Sequence, residues 1–255
     1  MAEQTTTPDI PRQDLSLAPP RLSPRWCALL LLAITAAMLA VGASTHLRGG
    51  ASWLAELALL TALFAVVGQA VTAFPTGLLV DPRNRMSLSQ LQTVLWTAVV
   101  LSAYLDIVMR RMGEPDPLAV AIDWHLWALM GISTASLVGT PLIQGLKAKG
   151  PPDAAAPPAT AKAPPALPAN ASVADARLTD IFSGEQRGGT TYVDLSKVQM
   201  FVLTAIAVAS YGASLYHLID GTAPAEITGF PPVPPGLVAL LGVSNAGYLG
   251  AQAAS

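Results

Sequence analysis

Seven ionisable side chains lie in or beside the apolar segments of this chain, and they are the residues whose types could do chemistry: His46, Glu56, Asp106, Asp123, His125, His217 and Asp220. Carboxylates and imidazoles can together bind a metal ion or relay protons. Four of them are candidates for such a site: Asp106, Asp123, His125 and His217. Asp123 and His125 are two positions apart, so inside one helix they would not share a face. The pattern favours ordinary placement at the water-accessible ends of membrane spans over a metal or proton site.

Two serine–glutamine pairs form a second candidate set. Ser89 and Gln92 are three residues apart in one apolar segment, and Ser196 and Gln199 repeat this spacing in another. A glutamine within apolar sequence needs a hydrogen-bond partner. The pairs indicate either a helix cap with an interhelical hydrogen bond or a ring of amides facing a pore in an oligomer, and the first interpretation is favoured.

Small residues recur every four positions in two further segments, at Gly131, Ala135 and Gly139 and again at Gly242, Ala246 and Gly250. Four-residue spacing places them on one face of a helix, where another helix can approach closely. The spacing therefore predicts helix packing through these faces. The alternative is that the small faces line a narrow pathway.

Motifs of enzymatic chemistry are absent from the sequence. It contains no HExxH, phosphate loop, GxSxG or CxxC, and Cys27 is the single cysteine. The net charge of −2 gives no basic surface for nucleic acid. We expect a non-enzymatic protein with no cofactor, no bound metal and no nucleic-acid partner.

Composition places these residues in a membrane. The chain is 52% hydrophobic and 12% charged, whereas soluble domains carry about 25% charged residues. Six apolar runs are candidate membrane spans, and they cover residues 26–44, 53–74, 88–108, 118–137, 195–218 and 236–250. We interpret the first run as an uncleaved membrane anchor in preference to a signal peptide.

An internal repeat organises the later spans. Residues 86–104 align with 193–211, matching Gln92 to Gln199, and residues 126–139 align with 237–250. The predicted fold class is therefore an all-α polytopic membrane protein with about six transmembrane helices. In it, helices 3–4 and 5–6 form a parallel tandem repeat.

Charge and composition divide the chain further. Lys and Arg are concentrated in the N-terminal tail and in the loops after the second and fourth spans, which by the positive-inside rule places both termini in the cytoplasm. The predicted parts are a disordered tail (1–24), a two-helix membrane hairpin (25–76), a first repeat unit (77–143), a Pro/Ala-rich cytoplasmic linker (144–193) and a second repeat unit (194–255).

The linker ends in a short apolar pattern. Leu178, Ile181 and Phe182 have the spacing of one helical face, which predicts a short amphipathic helix. Such a helix would either lie on the membrane surface or dock a partner protein.

The paired signatures SLSQLQTVLWT with LWALMGISTASLVG, and DLSKVQMFVLTA with LLGVSNAGYLG, resemble those of uncharacterised bacterial multi-pass membrane proteins, over about residues 78–250. The resemblance implies a bacterial inner-membrane location and no particular activity. The expected partners are the lipid bilayer, further copies of the chain and a cytoplasmic protein. Two functions compete: an oligomeric channel-like or pore-forming assembly, and a scaffold or sensor that recruits a cytoplasmic partner through residues 144–193.

Overall fold

The structure is a computed structural model that describes residues 21–44, 46–131, 169–184 and 192–254. Most of the predicted tail, residue Ala135 and most of the predicted linker lie outside the described residues. Within the described part the fold is all-helical and contains no β-strands, only three isolated bridges.

Six α-helices follow one another in the described residues: α1 (Pro24–Gly42), α2 (Gly50–Thr72), α3 (Leu88–Arg110), α4 (described over 124–131), α5 (Leu195–Gly221) and α6 (Pro235–Ala254). Helices α1, α2, α3 and α5 are long and apolar enough to cross a membrane. The chain is thus compatible with an integral membrane protein.

Local signals in the sequence determine where several helices begin. The Asp194 side chain caps α5 by accepting hydrogen bonds from the backbone N–H groups of Ser196 (3.0 Å) and Lys197 (3.4 Å). Prolines occupy the first positions of α1 and α6, where the missing N–H costs nothing. These starts agree with the predicted fifth and sixth spans to within one residue and with the first to within two.

The predicted fourth span is wrong at its beginning. Residues 118–123 are not helical, and α4 begins at residue 124. The Ala121 N–H donates to the Thr228 carbonyl (2.9 Å), and the Phe230 N–H donates to the Ala121 carbonyl (2.9 Å). This segment therefore pairs its backbone with the loop before α6, which removes it from the helix.

Helix α3 forms the centre of the bundle. Of its most apolar 18 residues, 56% are buried, against 6% for α1. It runs parallel to α5, because Gln92 contacts Thr204 in the first half of both helices and Arg110 contacts Ile219 near their ends. We call the end of the bundle where α3 and α5 begin the Arg83 end, after the loop that precedes α3. The opposite end, where both helices finish, is the Arg110 end. Parallel α3 and α5 are what a tandem repeat requires, and the equivalence of the two repeat units stays a prediction.

The linker pattern forms 3₁₀ turns rather than an amphipathic α-helix. Within the turn Leu178–Phe182, Ile181 is buried against Leu88 and Met200, whereas Leu178 is exposed. Leu178 and Ile181 are therefore not buried together, although positions three apart also lie on one side of a 3₁₀ turn. The segment is instead docked on the Arg83 end of α3 and α5.

Asn170 fixes this docked segment to the loop before α3. Its side-chain amide donates to the Asn84 carbonyl (2.7 Å), and the Asn84 amide donates to the Asn170 carbonyl (3.2 Å). The Asn170 N–H also donates to the carbonyl of Arg83 (2.9 Å). These three bonds hold residues 169–184 close to the bundle.

Candidate functional site

Arg110 contacts three helices, α2, α3 and α5, at the Arg110 end of the bundle. Its Nε lies 3.0 Å from Oδ2 of Asp106, one turn earlier on α3. Its Nη2 donates to the Gly49 carbonyl (2.9 Å) at the start of α2, and its Nη1 donates to the Ile219 carbonyl (3.0 Å) on α5. The planar fork of an arginine suits such divergent acceptors.

Asp106 is fully buried and has two partners. The hydroxyl of Ser52 donates to its Oδ1 (2.5 Å), and Arg110 supplies the opposite charge. A buried carboxylate is tolerated when it is paired and hydrogen-bonded in this way. Ser52 itself is almost fully buried, so its hydroxyl connects α2 with the charged pair on α3.

Glu56 lies one helical turn after Ser52 and is also fully buried. In the part of the chain that the structure describes, neither of its carboxyl oxygens has a hydrogen-bond partner. Gly42 of α1 lies beside it: a Cβ on that glycine would be 3.5 Å from Oε1 of Glu56. The expectation that the ionisable residues occupy water-accessible span ends is therefore not met by Glu56 or Asp106.

A pocket of about 430 Å³ opens next to this buried cluster. Ser52 and Arg110 line it from the side of the cluster, and Asp220 lines it from α5. Oδ1 of Asp220 accepts a hydrogen bond from the Gly50 N–H (3.0 Å), which ties the start of α2 to the end of α5. The volume lies within the range of small-molecule pockets.

Two of these residues carry signals that sequence reasoning missed. Arg110 follows Asp106 by four residues and Ser52 precedes Glu56 by four, and each spacing places a pair on one helix face. The pairs could have been recognised from spacing. Their meeting across α2 and α3 depends on tertiary structure.

The four residues of the predicted proton or metal site lie in three places. Asp106 belongs to the buried cluster, and His217 is exposed on α5 beside the ring of Tyr216. Asp123 and His125 form a pair, with Nδ1 of His125 3.1 Å from the carboxylate. In the described ranges, no three His, Cys, Asp or Glu side chains are grouped so that they could hold a metal ion.

Asp123 meets His125 because it precedes α4 instead of lying within it. It also accepts a hydrogen bond from the Val233 N–H (3.1 Å), so it joins the loops before α4 and α6. Partial desolvation works to raise the pKa of Asp123. Hydrogen bonds from the His125 and Val233 N–H groups and from the His125 ring outweigh it and hold the pKa below its usual value.

We expect acid to weaken this loop junction. A carboxyl whose pKa is lowered on folding stabilises the fold above its usual pKa of about 3.9, and that contribution is lost as the pH falls through the folded-state pKa. Thermal melts of the purified protein from pH 6 down to pH 3 should show a falling Tm, with a shallower fall in Asp123→Asn. The exposed Asp116→Asn variant is the control and should keep the parent's slope.

Gln92 and Gln199 differ although their positions match in the repeat. Gln92 is buried and donates from Nε2 to the Thr204 hydroxyl (2.6 Å), beside a cavity of only about 10 Å³. Gln199 is exposed on α5. Ser89 is buried, whereas the Ser196 hydroxyl donates to the Asp194 carboxylate. The geometry of Gln92 is that of an interhelical hydrogen bond.

Substitution of Gln92 should therefore affect the stability of the single chain. Gln92→Leu removes the donor to the buried Thr204 hydroxyl, which costs about 0.6–2 kcal/mol within a membrane. Thermal unfolding in detergent would measure the loss. The matched change Gln199→Leu, on the exposed face of α5, should leave the Tm of the detergent-solubilised monomer unchanged, and an equal loss in both monomeric variants would contradict the difference between them.

The predicted small-residue faces are not covered by other helices in the described part of the single chain. Gly131 and Ala246 are exposed, and a Cβ on Gly131 would have none of the described atoms within 4 Å. Gly242 is half-buried. Ala135 lies outside the described residues. Whether these faces pack against another copy stays a prediction.

Comparison of this chain with family models, with curated proteins and with solved structures finds no match. Three features of the described residues bear on function: the buried cluster at the Arg110 end, the pocket beside it, and the exposed face of α5.

Proposed function

We propose that this chain is a non-enzymatic integral protein of the bacterial inner membrane, and that copies of it assemble into a channel-like oligomer. The observation that supports this is a stripe of four exposed positions along α5, three of which carry polar side chains. The positive-inside rule, applied to the basic loop at the Arg83 end, supports a cytoplasmic location for that end and for both termini.

The stripe follows from helical geometry. Positions 199, 206, 210 and 217 are seven, four and seven residues apart, so they lie along one line of the helix. All four are exposed, and three of them are polar: Gln199, Ser210 and His217. The opposite face, through Thr204 and Tyr211, is buried in the bundle.

Polar side chains on the outside of a membrane-spanning helix are more stable against a second copy of the protein or against water than against lipid. They are costly in hydrocarbon and in membrane proteins usually face the bundle interior or a water-filled cavity. The matching position in α3, Gln92, is satisfied inside the chain by Thr204. In the proposed oligomer the α5 stripe lines a path shared by neighbouring copies.

The exposed small residues support the same proposal. Gly131 and Ala246 leave little side-chain bulk on the outer faces of α4 and α6. Helices associate closely in membranes through such faces. Contacts between copies would give these two residues the packing partners that the sequence pattern predicts.

Cysteine accessibility tests the proposed path. In a Cys27→Ser background, Ser210→Cys should react with a charged, water-soluble thiol reagent in reconstituted liposomes, because its neighbours would be water and other copies. Leu101→Cys, on an exposed apolar position of α3, is the control and should react only with a lipid-soluble maleimide. Equal protection of both cysteines from the charged reagent would place α5 against lipid and refute the path.

Assembly and flux distinguish the two glutamines. Gln199→Leu should reduce oligomer formation in native mass spectrometry and ion flux in liposomes, while Gln92→Leu, once folded, should retain both. The scaffold alternative draws less support, because residues 169–184 are held against the chain's own helices and are less free to recruit a partner. Specific capture of a cytoplasmic protein by residues 144–193, with no flux in liposomes, would favour that alternative.

A further inference from the structure

We propose that Glu56 is a proton-binding site within the membrane, in which the carboxyl group is held in its neutral form and exchanges its proton with water in the pocket at the Arg110 end. Nothing in the proposed channel-like assembly requires this site. The evidence for the site is the position of one buried carboxyl group and of the groups around it.

Glu56 is buried without a side-chain partner among the described residues. Glu56 is completely buried, and in the described part of the chain neither oxygen accepts a hydrogen bond. An ionised carboxylate without a side-chain donor or a counter-charge is very costly away from water, so such a group holds a proton or a cation. In the described ranges there is no second and third ligand to form a metal site around it.

The neighbouring charged groups favour different protonation states for the carboxyls of Asp106 and Glu56. Asp106 takes both the Ser52 hydroxyl and the Arg110 guanidinium, so it is the carboxyl that keeps its charge. The negative charge of Asp106 also acts on Glu56. Two nearby carboxyls that share one cation favour one ionised and one protonated group.

The remaining surroundings offer Glu56 no second cation among the described residues. Helix α1 contributes Gly42 beside it, and helix α3 contributes Asp106 and Arg110, which pair with each other. Arg48 of the α1–α2 loop and Asp220 of α5 line the adjoining pocket. A proton is therefore the species that balances the charge of Glu56.

Ser52 provides the connection to water. It lines the pocket, donates to Asp106 and lies one turn from Glu56 on the same face of α2. On release, the carboxylic acid O–H bond breaks, the electron pair stays on the Glu56 carboxylate, and the proton passes to a water molecule in the pocket. Rebinding reverses these steps, with no other reactant.

Dicyclohexylcarbodiimide, an apolar reagent that adds to protonated carboxyls, tests the site in the full chain. In liposomes, peptide mass mapping should find the N-acylurea adduct on Glu56, at least tenfold above the exposed Glu226. Labelling should fall as the pH is raised. Absence of the adduct from a recovered Glu56 peptide, or protection by sodium at constant pH, would overturn the proposal.

Infrared difference spectroscopy gives a readout that does not depend on the reagent. The parent should show a carboxylic acid C=O band that shifts in D₂O, and Glu56→Gln should lack it while keeping the fold, because an amide replaces a neutral acid of the same shape. Glu226→Gln should retain the band. A band that persists in folded Glu56→Gln would assign the proton to another carboxyl and overturn the proposal.

Discussion

Arg110→Met is expected to destabilise the protein by about 3–5 kcal/mol, because it leaves the fully buried Asp106 carboxylate without its counter-charge. It also removes donors from the backbone carbonyls of Gly49 and Ile219. The start of α2 would then lose its connection to α3 and α5. Thermal and denaturant unfolding in detergent should show the loss as a large drop in Tm.

Two further variants show whether the buried charge causes this loss. Adding Asp106→Asn to Arg110→Met should recover part of the stability, because the neutral amide no longer needs a cation. Arg25→Met, at an exposed position at the start of α1, should change the stability by less than about 0.5 kcal/mol. If Arg110→Met melted within a degree of the parent, the ion pair would not stabilise this end of the bundle.

Gly49→Ala is the second substitution with a large expected effect. Gly49 has φ 65° and ψ −150°, a backbone region that is essentially restricted to glycine. A Cβ there would lie 2.2 Å from Oδ1 of Asp220, the acceptor that anchors the Gly50 N–H. The backbone strain alone costs about 1–3 kcal/mol, and displacement of Asp220 adds to it.

Unfolding measurements on Gly49→Ala should therefore give a Tm well below that of the parent. Gly113→Ala is the matched control, because Gly113 lies in the α3–α4 loop, where an added Cβ would have none of the described atoms within 4 Å. It should melt within about a degree of the parent. Similar losses for both glycines would show that general loop stiffness, not the α2 start, explains the effect.

Helix starts were predictable where the signal is local. Asp194 caps α5 through N–H groups two and three residues away, and Pro235 needs no partner at the start of α6. The start of α4 was not predictable, because residues 118–123 are as apolar as a span. Their pairing partner, the loop at 228–230, is more than 100 residues away.

The candidate site, like the helix starts, was predictable from the sequence only where the signal is local. The sequence indicates that Glu56 and Asp106 are unusual in apolar segments, but only packing decides that Asp106 obtains Ser52 and Arg110 while Glu56 obtains no side-chain donor in the described part of the chain. Likewise, the repeat gives Gln92 and Gln199 the same local sequence. Their different burial arises from the helices around them, which a local pattern does not encode.

The hydrogen bond between Gln92 and Thr204 has a consequence for how the protein is made. Its donor leaves the ribosome 112 residues before its acceptor, a delay of about 6–22 s at synthesis rates of about 5–20 residues per second. Ser52, by contrast, is already present when Asp106 is synthesised. The N-terminal hairpin and α3 can therefore settle first, with the Gln92 amide unsatisfied. A nascent chain arrested before α5 is accordingly the form that membrane chaperones and quality-control proteases should recognise.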